Sequence, residues 1–244
     1  MQKIEVSDGI YITSDRCVWY ASKDVIILAD LHLGLEASLR DEGYSVPRIQ
    51  KDRILERLST IMDKYQPITV VVNGDLKHSF GKNSGEEFYD LLDIVDFINE
   101  QSELVIVRGN HDNFLKSITE KRGIVFYEDY MILDDITITH GHKRVEDHDI
   151  LIIGHEHPSL KIRDEMGSLV KIPCFLYNDN EKVIVLSAFS PFSEGRDMIS
   201  ARKFISESIN HMDIAEFYVF AVTDTGLMNF QTVKDIREAY PSLL

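Results

Sequence analysis

The sequence predicts an α/β fold in four layers, αββα, with two mixed sheets packed face to face and helices outside. Two observations lead there. The first half alternates short apolar runs with amphipathic stretches in the order β-α-β-α-β, which right-handed crossovers turn into a largely parallel sheet. The second half is a series of short β-branched runs separated by turns, with few crossover helices, which predicts a second sheet with antiparallel pairing. Five of the apolar runs end directly in His, Asp or Asn: Val25 to His32, Thr69 to Asp75, Leu104 to Asp112, Ile136 to His142 and Leu151 to His157. These clusters are spread over both halves, so residues 1–244 read as one domain, with the motif-bearing core at about 25–157 and residues 158–244 completing the second sheet and adding C-terminal helices.

Taken in order, Ile10 to Ile12 and Val18 to Tyr20 alternate as a hairpin leading into the first core strand. A helix is expected from about Pro47 to Tyr65: Pro47 suits a first helical position, and Ile54, Leu58, Ile61 and Tyr65 make one apolar stripe. Strand Thr69 to Val72 follows, then a Gly/Ser-rich loop (Ser79 to Gly85) and a helix burying Phe88, Leu91, Leu92, Val95 and Ile98. Strand Leu104 to Val107 ends at Asp112, which reads first as the N-cap of a helix over Phe114 to Lys121. Strands are then expected near Ile124 to Tyr127, Met131 to Leu133, Ile136 to Thr139, Ile150 to Ile153, Leu169 to Leu176 and Val183 to Phe189. A helix near Ala201 to Ile209, a strand near Phe217 to Val222 and a helix near Thr232 to Tyr240 close the chain.

Composition narrows the function classes. The chain has 26 basic and 41 acidic residues, a net charge of −15, which argues against a general polyanion-binding surface. Cys17 and Cys174 lie in no CxxC or CxxH arrangement, so a zinc-finger reading fails and reduced core thiols are expected. The N-terminus lacks the apolar core of a signal peptide, and no apolar stretch approaches the ~20 residues of a membrane span, so a soluble cytoplasmic protein is expected.

The strand-ending clusters carry the chemistry. In α/β sheets, ligands bind at the rim where strands end. Carboxylate and imidazole together suit Mn²⁺, Fe or Zn²⁺. Asp30 and His32 are two apart, as are His155 and His157, and would share a face in a regular strand. Asp75 follows Gly74, which lets the backbone approach a metal closely. Asp30, His32, Asp75, Asn110, His140, His155 and His157 make seven donors, more than one cation with open positions needs and enough for two sharing a carboxylate.

Asp-x-His, Gly-Asp, Gly-Asn-His-Asp, His-Gly-His and Gly-His-x-His, in that order over residues 25–157, resemble the calcineurin-like metallophosphoesterase superfamily. The spelling ADLHLG, NGDLKH and GNHD is similar to its archaeal and bacterial branch of SbcD-related nucleases and ligase-associated phosphoesterases. The resemblance implies two mixed sheets flanked by helices and two divalent ions, Mn above all, with Fe, Zn or Ni as alternatives. It implies Asp30, His32 and His157 on the first ion, Asn110, His140 and His155 on the second, Asp75 bridging, and His111 as the non-ligand histidine that contacts the phosphate or protonates the leaving oxygen. The reaction implied is phosphoester hydrolysis by a metal-bridging hydroxide, with a positioned imidazole as general acid giving a further ~10²–10⁴-fold.

Other residues stand at the edge of this pattern. His142 has less support than His140 as a ligand. His78 either orients Asp75, faces substrate or is a plain turn residue. Lys77 and Arg196 are cations within reach of a phosphate or simply solvated, and His148 and His211 have no motif context. The leading function is a two-metal phosphoesterase acting on a phosphorylated small molecule or nucleotide, a phosphodiesterase first, with a phosphomonoesterase not separated from it by the sequence. A nuclease on single-stranded or end DNA is the alternative, disfavoured by the acidic charge and by the ~85 residues after His157, too few for a capping domain of the kind SbcD-type nucleases carry. A non-catalytic phosphoesterase-fold interaction module is the alternative from another class, and the complete donor set weighs against it. A metalloprotease fails for lack of an HExxH helix. Oligomeric state is not legible.

Overall fold

The computed structural model describes residues 1–79, 85–163 and 166–240, so residues 80–84 of the expected Gly/Ser-rich loop lie outside the described residues. The first sheet holds seven strands in chain order: β1 (Lys3–Ser7), β2 (Ile10–Thr13), β3 (Val18–Tyr20), β4 (Val25–Leu28), β5 (Thr69–Asn73), β6 (Glu103–Val107) and β7 (Val125–Tyr127). β1 to β4 form an antiparallel meander, and β4 to β7 run parallel. The parallel strands are connected through α1 (Leu35–Asp41) and α2 (Gln50–Tyr65), then α3 (Gly85–Asn99), then α4 (Lys116–Arg122). The second sheet contains β8 (Tyr130–Leu133), β9 (Ile136–Thr139), β10 (Ile150–Ile153), β11 (Pro158–Arg163), β12 (Leu169–Asn178), β13 (Val183–Val185), β14 (Arg196–Asp197), β15 (Tyr218–Thr223) and β16 (Gly226–Thr232). Its order is β14-β11-β12-β13-β10-β9-β8, with β15 joining β12 to β16, and α5 (Val233–Ala239) follows.

Strand alternation builds the layers. Ile26, Leu28, Val70, Val72, Leu104 and Ile106 turn one way onto Ile54, Leu58 and Ile61 of α2 and Leu91, Ile94 and Ile98 of α3. Ile27, Val71, Val105 and Val107 turn the other way and meet Ile138, Ile152, Ile184, Phe175 and Phe220 of the second sheet. Burying each such side chain stabilises the fold by about 1.5–3 kcal/mol. The outer face of the second sheet, with Leu151, Ile153, Val185 and Leu176, is covered by Ile199, Phe204, Ile209, Phe217 and Ile236. The predicted four layers are present, but the fourth is mostly irregular chain. No helix among the described residues is long and apolar enough to cross a membrane.

Three local expectations are corrected. The helix predicted near Ala201 to Ile209 is absent. The N–H groups of Ile205 and Ser206 donate instead to the Glu156 carboxylate at 2.7 and 2.6 Å, and the Ser206 and Ser208 hydroxyls donate to Gly141 and Lys143 carbonyls. Helix α2 starts at Gln50, not Pro47, because the buried Glu36 of α1 accepts the N–H groups of Ile49 and Gln50 at 2.9 and 3.1 Å. This carboxylate satisfies donors that a helix start leaves unpaired.

The third correction bears on function. β9, β10 and β13 pair in parallel, not antiparallel, with Thr139 opposite Ile153 and Ile153 opposite Val185. Parallel pairing puts the C-terminal ends of β9 and β10 at one rim. In the first sheet Leu28 lies opposite Val72, and Val72 opposite Ile106, so three more C-terminal ends align. Antiparallel pairing of β9 and β10 would have sent His140 and His155 to opposite ends of the sheet. Asn73, buried at the end of β5, fastens the two rims: its amide donates to the Thr139 carbonyl at 2.8 Å, and its carbonyl accepts from His140 Nδ1 at 3.0 Å.

Candidate metal centre

Each of the five clusters lies just beyond a strand end, in sharply turned backbone. Asp30, His32, Asp75, His155 and His157 all have positive φ, at 62°, 47°, 51°, 67° and 43°. Asp30 with His32, and His155 with His157, are therefore neighbours through left-handed turns, not through strand alternation as expected. Left-handed backbone costs a residue with a Cβ about 1–2 kcal/mol, so it persists only where surrounding bonds over-determine it. Here they do. Asp30 and His32 donate their N–H groups to the carbonyls of Gly74 and Asp75 at 3.0 and 2.9 Å, and the His155 N–H donates to the Asp30 carboxylate at 3.2 Å.

The side chains form three candidate donor groups among the described residues: two meet at Asp75, and a third joins His32 to His78 and His111. Asp30, His32, Asp75 and His157 bring their ligand atoms together, and so do Asp75, His140 and His155. In the first group His32 Nε2 and His157 Nε2 are 3.1 Å apart, and His157 Nε2 is 3.1 Å from Asp30 Oδ1. In the second, His140 Nε2 is 3.3 Å from Asp75 Oδ2 and 3.2 Å from Asn110 Oδ1. Asp75 Oδ2 is also 3.8 Å from His32 Nε2. Asp30, Asp75 and His140 are buried, while the cluster opens into a cleft of about 360 Å³ lined by His32, Asp75, Asn110, His111, His155 and His157.

The donor chemistry fits cations. Burial pushes the His32 imidazole down to about 3 and that of His155 to about 4, so both present neutral lone pairs, the form that binds a metal. Burial acts on His140 in the same direction, but the charge of Asp75 and its hydrogen bond outweigh it and raise that imidazole to about 9. Nδ1 of His140 is already committed to Asn73, so Nε2 faces two oxygens that only accept. A proton or a cation must lie between them, and a divalent cation fits both groups at once. Burial disfavours the Asp30 and Asp75 carboxylates, yet the surrounding imidazoles hold both below the usual carboxylate range.

The glycines of the motifs make this packing possible. A Cβ on Gly74 would lie 2.3 Å from His140 Nδ1, and one on Gly109 would lie 2.2 Å from Asp75 N. At Gly74 the structure shows close approach of an imidazole to backbone.

Asp112 is not an N-cap: α4 begins at Lys116 after Leu115, with no side-chain cap. Its buried carboxylate accepts the N–H groups of Gly109 at 2.8 Å and Leu76 at 2.9 Å, tying the Asp75 turn to the Asn110 turn. Burial and the charge of Asp75 push it up to about 6. His111 sits beside the first group with Nε2 3.8 Å from Asp75 Oδ2; its Nδ1 donates to the His78 carbonyl, and its N–H donates to Asp75 Oδ1 at 2.9 Å. The His78 ring lies 5.7 Å from those of His32 and His111. His142 stands 5.4 Å from His140, ring to ring, outside both donor groups. Lys77 is not among the residues lining the cleft and donates to the Ser79 carbonyl.

Three contributors escaped the sequence reading. Asn73 is visible in retrospect as a polar residue closing an apolar run. Glu156, between two donor histidines, is buried and accepts from Arg196 Nη1 at 2.9 Å, holding that guanidinium at the cleft wall. Ser193 Oγ lies 3.1 Å from His157 Nδ1 and fixes that ring; no sequence pattern marks it.

Comparison with known proteins places the chain. No curated protein matches the sequence. Among solved structures, the crystal structure of Pseudomonas putida nuclease MPE is similar with a TM-score of 0.70 and 18% identity, covering 94% of this chain and 99% of that one. The phosphoesterase Yfce from E. coli gives a TM-score of 0.36 and 15% identity, covering 82% and 88%. The first of these shares the fold. The family model of calcineurin-like phosphoesterases matches residues 23–197, which takes in all five clusters and most of both sheets: this chain belongs to the calcineurin-like phosphoesterase family and is a metal-dependent phosphoester hydrolase.

Proposed function

We propose that the protein is a two-metal phosphodiesterase of small or nucleotide substrates, formed as one domain over residues 1–244. In this reading Asp30, His32 and His157 hold one cation, Asn110, His140 and His155 hold the other, and Asp75 serves both. The observation that carries it is the position of Asp75, whose Oδ2 lies 3.8 Å from His32 Nε2 on one side and 3.3 Å from His140 Nε2 on the other. When bound, divalent cations supply positive charge to the phosphoryl oxygens and acidify a water; Mn²⁺ suits this mixed donor set, with Fe, Zn or Ni as alternatives. The chain's own groups do the rest. The His78 carbonyl accepts from His111 Nδ1 and so aims Nε2 at the cleft, where it can pass a proton to the leaving oxygen. His78 and His142 flank the donors, and Asp112 holds the two turns that carry Asp75 and Asn110.

Charge supports a diester. Among the described residues lining the cleft the cationic side chain is Arg196, and Glu156 matches its charge at 2.9 Å. A singly charged diester needs less positive charge than a doubly charged terminal phosphate. Asp75→Asn should abolish Mn²⁺-dependent hydrolysis of bis-(p-nitrophenyl) phosphate while leaving the circular dichroism spectrum unchanged; full activity would place the chemistry elsewhere. A second reading, a nuclease on single-stranded DNA, draws support from the fold shared with a protein described as a nuclease. The net charge of −15 and the single paired arginine at the cleft favour small substrates. Hydrolysis of a single-stranded oligonucleotide faster than of small diesters would reverse that preference.

A further inference from the structure

Away from the metal centre, a cavity of about 210 Å³ is lined by Ser14, Asp15, Arg16, Arg57, Thr60 and Thr223, together with Val222 and Asp224, and shares no residue with the catalytic cleft. Arg16 comes from the β2–β3 turn, where it has φ 60°, a left-handed conformation uncommon for a long side chain. Arg57 comes from α2, and Arg53 stands one turn before it. Neither Arg16 nor Arg57 has a carboxylate within 4.0 Å among the described residues. Arg16 Nη1 donates to the carbonyls of Ala188 and Ser190 at 3.1 and 3.2 Å, and Arg57 Nη1 donates to that of Phe189. Asp15, on the same wall, is already held by Lys64 Nζ and the Tyr65 hydroxyl, both at 2.6 Å.

Two half-buried guanidiniums side by side without a counter-ion are an unusual arrangement, since a sequestered charge ordinarily has a partner. Burial, and then the charge of Arg57, lower Arg16 to about 9, and burial, then Arg53, lower Arg57. Each guanidinium carries five N–H donors in a planar fork matched to oxyanions, and the carbonyls of residues 188–190 engage Nη1 alone on each. We propose that Arg16 and Arg57 form a binding site for a phosphate-class oxyanion, either free inorganic phosphate or the phosphate group of a nucleotide, distinct from the metal centre. The site backs onto the metal ligands: Phe189 and Ser190, whose carbonyls the arginines hold, donate their N–H groups to the carbonyls of Ala29 and Asp30 at 2.9 and 3.0 Å. Arg16 is therefore two hydrogen bonds from Asp30, and an anion held by it is three.

The test is a calorimetric titration of the full chain, stripped of metal with EDTA so that the catalytic cleft offers no cation to phosphate. Inorganic phosphate should bind saturably at one site. Thr60→Glu, on the exposed side of α2 one turn from Arg57, puts a carboxylate into the cavity without touching the core and should weaken binding at least about tenfold, or 1.4 kcal/mol. Arg57→Gln should do the same, and Asp224→Asn, which removes the remaining acidic group of the wall, should tighten it. Adenosine monophosphate binding more tightly than phosphate identifies a nucleotide ligand, and equal affinity identifies free phosphate. No saturable binding to the wild-type chain, or wild-type affinity in Thr60→Glu, overturns the proposal; if Arg57→Gln fails to fold, Thr60→Glu alone decides.

Discussion

The imidazole of His140 lies against the bare Cα of Gly74: a Cβ there would sit 2.3 Å from Nδ1 and 2.8 Å from the His140 Cβ. The contact joins the two sheets at the metal centre, because Gly74 follows β5 and His140 follows β9. It also explains a glycine that the sequence offers only as a flexible neighbour of Asp75. Gly74 has φ 83°, so alanine there meets both a left-handed cost of about 1–2 kcal/mol and an overpacking cost of about 1–3 kcal/mol. Gly74→Ala should therefore lose about 2–5 kcal/mol in urea denaturation and bind less metal. Gly123→Ala is the control: φ is 66° but nothing lies within 4 Å, so only the left-handed cost applies. Equal losses in the two variants would contradict the packing role of Gly74.

Glu156 organises the far wall of the cleft from between His155 and His157, two candidate metal donors. Its carboxylate accepts from Ile205 N–H, Ser206 N–H and Arg196 Nη1. Glu156→Ala leaves buried donors without acceptors and should cost about 1–3 kcal/mol. Glu156→Gln keeps an acceptor for the two N–H groups but loses the charge that holds Arg196. That variant should stay close to wild type in stability and raise KM for a diester several-fold with little change in kcat. A fall in kcat at unchanged KM would show instead that Glu156 acts on the histidines beside it.

The five core strands were legible because a strand buried on both faces is a continuous apolar run, as in Val70 to Val72 or Ile150 to Ile153. The residues that gather at the candidate centre were legible because polar groups that end such runs stand out. What the sequence hid was set by distant partners. The parallel pairing of β9 with β10 depends on where residues 140–149 travel, and no local pattern records that. Ala201 to Ile209 has helical spacing, but Glu156 and the Gly141 carbonyl take its hydrogen bonds. Edge strand β1 alternates but offers only two apolar residues, Ile4 and Val6, too few to stand out from a polar N-terminus. Left-handed backbone at Asp30 and His157 is likewise invisible, since neither residue type demands it.

Both cysteines should be unreactive thiols in the folded protein. Cys17 packs beneath the first sheet and Cys174 on the outer face of the second, each fully buried and unpaired. Burial pushes the Cys17 thiol up to about 12 and raises Cys174 further, so neither forms the thiolate that attacks a thiol reagent. Titration with a chromogenic disulfide should find no accessible thiol in native protein and two per chain in guanidinium chloride. Fewer than two after unfolding would indicate a disulfide.

Metal removal should weaken the fold measurably, because the donor turns are held in costly backbone around buried carboxylates. Five donor residues carry positive φ, and Asp30 and Asp75 are buried with imidazoles as their main compensation. A ligand that binds only the folded state at one hundred times its Kd adds about 2.7 kcal/mol. For a chain of this size that corresponds to a Tm rise of roughly 5–10 °C on adding Mn²⁺ to EDTA-stripped protein. The donor groups also predict how the effect divides. His155→Ala removes a donor from the second group alone and should leave about one Mn²⁺ per chain by atomic emission, with part of the Tm rise retained. His157→Ala should do the same from the first group. Asp75→Asn strikes both groups and should leave less than one ion per chain with almost no Tm rise, even though an amide replaces a carboxylate of nearly the same shape. Two ions bound by Asp75→Asn, or identical melting of stripped and loaded wild type, would separate the histidine clusters from any shared metal centre.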